Sequence, residues 1–369
     1  MSQRLEIMYE KKPAYPILLE DNWNALALEL SNLECKDRKI CIISDKKVGE
    51  LYCNEITKIA SPISKSVVSY FMENGEKSKS METVLDIINF LLENRFERKD
   101  ILISLGGGVV GDVTGFVAAI YMRGIDYIQI PTTLLAQADS NMGGKTGIDF
   151  GNAKNIIGSF KMPALVYINT SVLASLDNRE YFQGFAEVMK AAIIRDGNMY
   201  EWLIENMYEI CEKDSAVVME MLIKALGIKK FYVEKDPSDK SERMVLSLGH
   251  TIGHALEVYS DYSLLHGECV ALGIVCAAYI SWKKSYLSME EYYEIRDMFV
   301  PFYLPISVDN LDVNKVLELT RSDKKMKDGQ IRFVLLKKIG KAFVDATVTD
   351  EEILAALNEI NFTEEDARE

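Results

Sequence analysis

Histidine is scarce in this chain, with three residues in 369, and so is any excess of positive charge. The formal net charge is −14 at pH 7, which argues against nucleic acid or an anionic membrane surface as a partner. It leaves room for an anionic small molecule, because a few lysines in a cleft reverse the field locally. The six cysteines (Cys35, Cys41, Cys53, Cys211, Cys269 and Cys276) include no C-x-x-C pair. In a chain of this size they read as buried free thiols of a reducing compartment. Residues Met1 to Glu6 carry no apolar leader, and no run reaches the ~18 apolar residues of a membrane span. The cytoplasm is therefore the expected location. Internal repeats and low-complexity segments are also missing. What remains is an ordinary globular composition, 48% hydrophobic and 27% charged, long enough for two domains with ample core.

The first half alternates between strand and helix signals. Lys39 to Ser44 is a short, β-branched apolar run followed by Asp45 and a helical pattern. A second helical stretch from Ser80 to Asn94 leads into another buried-strand run at Asp100 to Leu105. Such alternation predicts a mostly parallel sheet with helices on its faces. The second strand runs into Gly106-Gly107-Gly108-Val109-Val110-Gly111-Asp112 and then an apolar helix through Met122. That is G-x-G-x-x-G between a strand and a helix, a backbone that lets a pyrophosphate approach the helix N-terminus. Two details depart from the fingerprint. About 100 residues precede it, and the acidic residue expected ~20 positions later is absent, the next strand ending at Pro131-Thr132-Thr133. Asp45 is the alternative ribose contact. The polar stretch from Pro131 to Gly147, with Asp139 and Gly143-Gly144-Lys145-Thr146, followed by Lys154-Asn155, reads as a ligand-binding loop. It is not a P-loop, because Asp139 stands where the first glycine of G-x-x-x-x-G-K-[ST] belongs.

After about residue 175 the pattern becomes helical, with few strand signals. All three histidines crowd into Ser247 to Glu268: His250, His254 and His266. The first two are four apart, hence on one helix face, and His266 opens a second apolar helix. Two packed helices could aim these imidazoles at one metal ion. Glu187 and Lys190, spaced i,i+3 in Ala186-Glu187-Val188-Met189-Lys190, read alone as a helix ion pair, and Glu187 becomes a metal candidate only as the anionic ligand the histidines need. Lys229 and Arg243 bracket an acidic loop. A helix continuing from Arg243 to His250 would set them two turns apart on one face. Lys324 and Lys325 add a basic pair after Asp323.

Together these motifs (GGGVVGD, PTTLLAQADS-x-x-GGKTG, KNIIG, AEVMK, GHTIGHALE, HGE and DKK, in that order over about residues 40 to 340) resemble the 3-dehydroquinate synthase family of sugar phosphate cyclases. The resemblance implies an α/β fold with a Rossmann-like parallel-sheet NAD-binding domain at 1–175. A C-terminal all-helical metal- and substrate-binding domain would follow at 176–369, with the active site between them. It implies that Glu187, His250 and His266 ligate zinc, with cobalt as an alternative. His254 then leaves the ligand set for the substrate side, against the spacing argument. Asp139, Lys145, Asn155, Lys190, Lys229, Arg243 and Lys324 (or Lys325) would hold the substrate, with Arg123 reaching its phosphate. Asp45, Glu76, Lys79, Gly107, Gly108, Val109, Asp112, Thr132, Thr133 and Lys154 would hold NAD. The implied reaction takes 3-deoxy-D-arabino-heptulosonate 7-phosphate to 3-dehydroquinate and phosphate, a step of the shikimate pathway toward aromatic amino acids, in a homodimer. It proceeds by transient oxidation, elimination, re-reduction and aldol closure.

One position departs from the family. Ser247 in Leu246-Ser247-Leu248-Gly249-His250 stands where the usual L-N-L-G-H has an amide. Sister cyclases acting on other sugar phosphates differ at pocket residues of this kind, so another sugar phosphate cyclase is one alternative. A metal-dependent polyol or glycerol-phosphate dehydrogenase of similar plan is a second. A zincin protease is disfavoured, because His250-Thr251-Ile252-Gly253-His254 lacks the glutamate of H-E-x-x-H. An NAD- and metal-binding regulatory protein would leave so many placed charges without a purpose.

Overall fold

The computed structural model describes residues 2–151, 153–239, 241–321, 326–327 and 330–362. Lys324 and Lys325, expected at the substrate, lie outside the described residues. The chain divides into two compact units, Met1–Leu176 and Asp177–Glu369.

The first unit is built on a seven-stranded sheet. Its strands are β1 (Gln3–Tyr9), β2 (Lys12–Glu20), β3 (Lys39–Asp45), β4 (Ser66–Met72), β5 (Ile101–Gly106) and β6 (Asp126–Pro131), with Leu165–Asn169 as the seventh. The spatial order is β1, β2, Leu165–Asn169, β6, β5, β3, β4, and only the β1–β2 edge pair is antiparallel. The apolar run in β3 shows why this sheet is covered on both sides. Successive side chains of a strand point to opposite faces. Cys41 and Ile43 enter one core with Val84, Ile87 and Leu91 of helix α1 (Met81–Glu93) and Val113 and Val117 of helix α2 (Gly108–Ile120). Ile40 and Ile42 enter the opposite core with Leu26, Leu30 and Ile56. A strand buried on both faces needs an unbroken apolar sequence, which is what Ile40-Cys41-Ile42-Ile43 supplies.

Topology then picks out one edge. From β3 the chain crosses to β4 on one side and returns to β5 on the other, so β3 and β5 are neighbours whose connections leave in opposite directions. Ligands of open α/β sheets bind at such a reversal, beyond the carboxyl ends of the strands. Here those ends are Asp45 and Gly106.

The polar stretch before residue 147 is more ordered than a connecting loop. Ala136–Ser140 forms a π-helical turn, and Lys145 opens β7 (Lys145–Phe150), which pairs antiparallel with β8 (Ala153–Phe160).

The second unit is mainly helical, as its apolar periodicity indicated. Its principal helices are α3 (Asn178–Arg195), α4 (Ser215–Lys235), α5 (His250–Tyr259) and α6 (His266–Lys283). It also carries short two-stranded ribbons, the longest pairing Phe333–Lys338 with Lys341–Asp345. Phe333 to Leu336 are all buried. Their run lacks the alternation of a half-exposed strand, and so its strand character was illegible. Among the described residues no helix is long and apolar enough to cross a membrane.

The expected helix from Arg243 to His250 does not form. Glu242–Ser247 is a 3-10 turn, and α5 starts afresh at His250 after Gly249, whose φ is +77°. That left-handed backbone favours glycine. A Cβ at Gly249 would also fall 2.7 Å from Val270 O, so α6 packs directly against this break.

Candidate functional site

In the first unit, the residues expected at the dinucleotide gather at the reversal edge. Gly107 precedes the first turn of α2, and no side chain caps that turn. Its leading N–H groups and helix dipole are thus offered to an anion. A Cβ on Gly107 would come within 3.1 Å of Thr133 Cγ2, and one on Gly108 within 3.3 Å of Ser140 Oγ. A larger residue would therefore crowd this cradle. Thr132 Oγ1 is buried without a hydrogen-bond partner. Asp45 Oδ1 accepts from Val48 N (2.9 Å) and Asn74 Nδ2 (3.1 Å).

Four expected contacts form one charged network. Lys79 Nζ meets Asp112 Oδ2 at 2.6 Å, and Lys154 Nζ meets Glu76 Oε1 at 3.3 Å. Asp149, which the motifs did not single out, ties the network together. Its N–H donates to Lys79 O (2.9 Å), and its Oδ1 accepts from Asn155 N (2.7 Å). Burial pushes the Asp112 carboxyl up against the pull of Lys79, and burial raises Asp149 as well. Asn155 follows the ribbon turn with φ +51°, and Lys145 stands exposed on β7. Asp139 lies in the π-helical turn beside Ser140. Arg123 is not brought to this edge: it follows α2 at the far end of the helix from Gly108, exposed, with φ +64°.

In the second unit, α3, α5 and α6 bring three residues together. Glu187 Oε1 lies 3.6 Å from His250 Nε2 and 3.5 Å from His266 Nε2. These separations are long for hydrogen bonds, and neither buried oxygen of Glu187 accepts an aligned one. They do match two ligands of one tetrahedral ion, which at ~2.1 Å from the metal stand ~3.4 Å apart. The far side of each imidazole is already committed. With its proton on Nδ1, His250 donates to Leu248 O at 3.0 Å, and His266 Nδ1 donates to Glu257 Oε1. Both Nε2 lone pairs are thereby turned toward Glu187, the arrangement that orients metal-binding histidines.

Electrostatics agree. Burial works against a charged His266, yet Glu187 and Glu257 lift it to about 9. Burial would likewise raise Glu187, but Lys190 and then His266 pull it down to about 2. The pocket therefore favours a positive charge between two carboxylates, and a divalent cation can take the place of that proton. Two imidazoles and one carboxylate suit zinc and its neighbours. The donor set fits the implied metal, and the glycine cradle with the orphaned Thr132 hydroxyl fits a dinucleotide.

His254 stands next to this trio without joining it. Its ring centroid is 5.3 Å from that of His250 and 6.1 Å from that of His266, and its ligating atoms group with Glu257 and His266 instead. Cys269 is buried and belongs to neither group among the described residues. Lys190 is buried in contact with Glu187, while Lys229 and Arg243 are buried on α4 and the 3-10 turn packed against it. Arg243 Nη1 donates to Pro237 O (3.2 Å). Ser247 Oγ donates to Met244 O at 2.7 Å, closing its own turn. Glu257 is the residue that motif reading passed over. It falls seven positions after His250 and so shares a helix face with it, a stripe that was available in the sequence.

Comparison with known proteins follows the same line. The family described as 3-dehydroquinate synthase N-terminal matches residues 69–183, and that described as 3-dehydroquinate synthase C-terminal matches residues 184–326. The 3-dehydroquinate synthase of Ruminiclostridium cellulolyticum is 38% identical over 344 residues, covering 93% of this chain and 95% of its own. That of Thermodesulfovibrio yellowstonii is 42% identical over 327 residues, 87% of this chain and 90% of its own. Among solved structures, 2-epi-5-epi-valiolone synthase from Streptomyces hygroscopicus subsp. jinggangensis, with NAD+ and Zn2+ bound, superposes with a TM-score of 0.88. It is 23% identical, covering 99% of this chain and 100% of that one. NADH-dependent butanol dehydrogenase A from Thermotoga maritima superposes with a TM-score of 0.70 at 12% identity, covering 97% and 99%. At such identities the two structures speak for the fold alone.

Proposed function

Because the chain belongs to the 3-dehydroquinate synthase family, we propose that it converts 3-deoxy-D-arabino-heptulosonate 7-phosphate to 3-dehydroquinate and inorganic phosphate, using NAD and a divalent cation. Zinc, or cobalt in its place, would be held by Glu187, His250 and His266. The observation that carries this reading is the buried Glu187 carboxylate facing two Nε2 atoms at 3.5 and 3.6 Å, each imidazole fixed from behind.

Bound NAD would supply a reversible hydride acceptor, and the cation would supply Lewis-acid polarisation of substrate oxygens. The chain's own residues do the rest. Gly107, Gly108 and Val109 present backbone at the start of α2 to the pyrophosphate. Asp45, Thr132 and Thr133 line the same edge, and Glu76, Lys79, Asp112 and Lys154 form the charged wall beside it. Lys190, Lys229 and Arg243 are buried cations in an acidic protein, suited to a substrate that carries a carboxylate and a phosphate. Lys145 and Asn155 would orient its hydroxyls, Asp139 accepting from one of them. Lys324 completes the proposed substrate set. His254, beside the trio but outside it, is placed to hold or pass a proton at its imidazole nitrogens as phosphate leaves. A homodimer and residence in the cytoplasm complete the proposal, and both rest on the family.

The test is release of inorganic phosphate from the heptulosonate 7-phosphate. The expected result is release that requires NAD, stops with a chelator, resumes with zinc or cobalt, and leaves no net NADH. Steady NADH accumulation with a polyol, and no phosphate release, would establish a dehydrogenase instead. Turnover of a different sugar phosphate only would establish a sister cyclase.

A further inference from the structure

The approach of α3 to α6 is controlled by more than the trio. Arg179, Gln183 and Glu187 are spaced i, i+4, i+8 and so line one face of α3. They meet three consecutive residues at the start of α6. Arg179 Nε and Nη2 donate to Glu268 Oε1 and Oε2 at 2.7 and 2.8 Å, and Nη2 also reaches Ser263 O at 2.9 Å. Gln183 Oε1 accepts from Gly267 N at 3.3 Å, its Nε2 being oriented by Glu180 Oε2 at 2.6 Å. Glu187 Oε1 faces His266 Nε2 at 3.5 Å. Glu268 Oε2 also accepts from Leu265 N at 2.8 Å, capping the turn that His266 opens. The backbones touch at the middle rung, where a Cβ on Gly267 would fall 1.8 Å from Gln183 O.

We propose that Arg179 and Gln183 are positioning residues that set the register of α3 against α6, and through it the spacing of Glu187 and His266. The proposal rests on the metal reading above. Arg179 stands eight residues from Glu187, ~12 Å along the helix axis, so it acts on the cation only through this ladder. An exposed ion pair contributes little to stability by itself. A bidentate one that caps the ligand's own turn instead limits how far His266 can stray. Outer contacts of this kind change metal affinity ~10–100-fold.

The experiment is a zinc titration of the chelator-stripped full chain against a competing chelator, with Tm and kcat read in parallel. Arg179→Met and Gln183→Met should each raise the zinc Kd roughly 10-fold, while kcat at saturating zinc stays within about twofold of the parent. Arg179→Lys should recover part of the loss. The control is Lys284→Met, which breaks the Lys284–Glu352 pair (2.9 Å) elsewhere in the same unit. It should leave the zinc Kd unchanged whatever it does to Tm. Parental Kd in both ladder variants, or an equal rise in the control, overturns the ladder while the metal site stands. A parent chain whose zinc binding ignores His250→Ala overturns the metal site and the ladder together.

Discussion

His250→Ala is expected to leave the protein without a tightly bound divalent cation and to lower kcat/KM by roughly 10³-fold or more. Inductively coupled plasma mass spectrometry and the phosphate-release assay check the two halves separately. His250 is the cleanest member of the trio to remove. It offers one neutral lone pair from Nε2, and its Nδ1 is engaged with Leu248 O. Its loss leaves no charge unpaired. Glu187→Gln is a harsher change, because it removes the carboxylate that the buried ammonium of Lys190 meets. Breaking a buried pair from one side costs about 3–5 kcal/mol, so lost activity there mixes chemistry with folding. In His250→Ala the fold should persist at a lower Tm, reduced by the stabilisation that metal binding gives the native state. Metal content equal to that of the parent would count directly against the trio.

Lys145→Ala should produce the opposite pattern, with metal content, NAD binding and Tm unchanged and kcat/KM reduced roughly 10²–10³-fold. Lys145 is exposed on β7, so truncation removes little packing, and exposed substitutions of this kind stay within about 0.5 kcal/mol. A cation placed where negative charge develops during elimination stabilises the transition state more than the ground state. The loss should therefore fall on turnover more than on cofactor affinity. Parental rates would mean that the glycine-rich stretch before β7 does not serve the substrate.

Much of this was legible in the residues. The doubly buried β3, the glycine turn opening α2 and the long helices after residue 175 each follow from local pattern, because periodicity and glycine placement are local properties. The crowding of His250 and His266 also showed, since both lie in one stretch. Glu187 did not show by itself. It sits 63 residues before His250, and only tertiary packing of α3 on α6 separates a metal carboxylate from an ordinary i,i+3 pair. Resemblance supplied what spacing could not, and it also moved His254 out of the ligand set; in the structure the His254 imidazole groups with Glu257 and His266. The helix drawn from Arg243 to His250 stops at Gly249, where a φ of +77° coincides with a close approach of α6 that lies outside the local sequence. Glu257 and Asp149 were missed for a related reason: a carboxylate on an amphipathic stripe reveals its periodicity but not its burial or its partner.

The most direct measurement is X-ray absorption at the zinc edge of the zinc-loaded protein, repeated on His250→Ala and His254→Ala. Two imidazole nitrogens and a carboxylate oxygen at about 2.0–2.2 Å are expected, with no sulfur, lost in His250→Ala and retained in His254→Ala. A sulfur shell at ~2.3 Å, or a spectrum that His254→Ala alters and His250→Ala does not, would contradict the assignment of Glu187, His250 and His266.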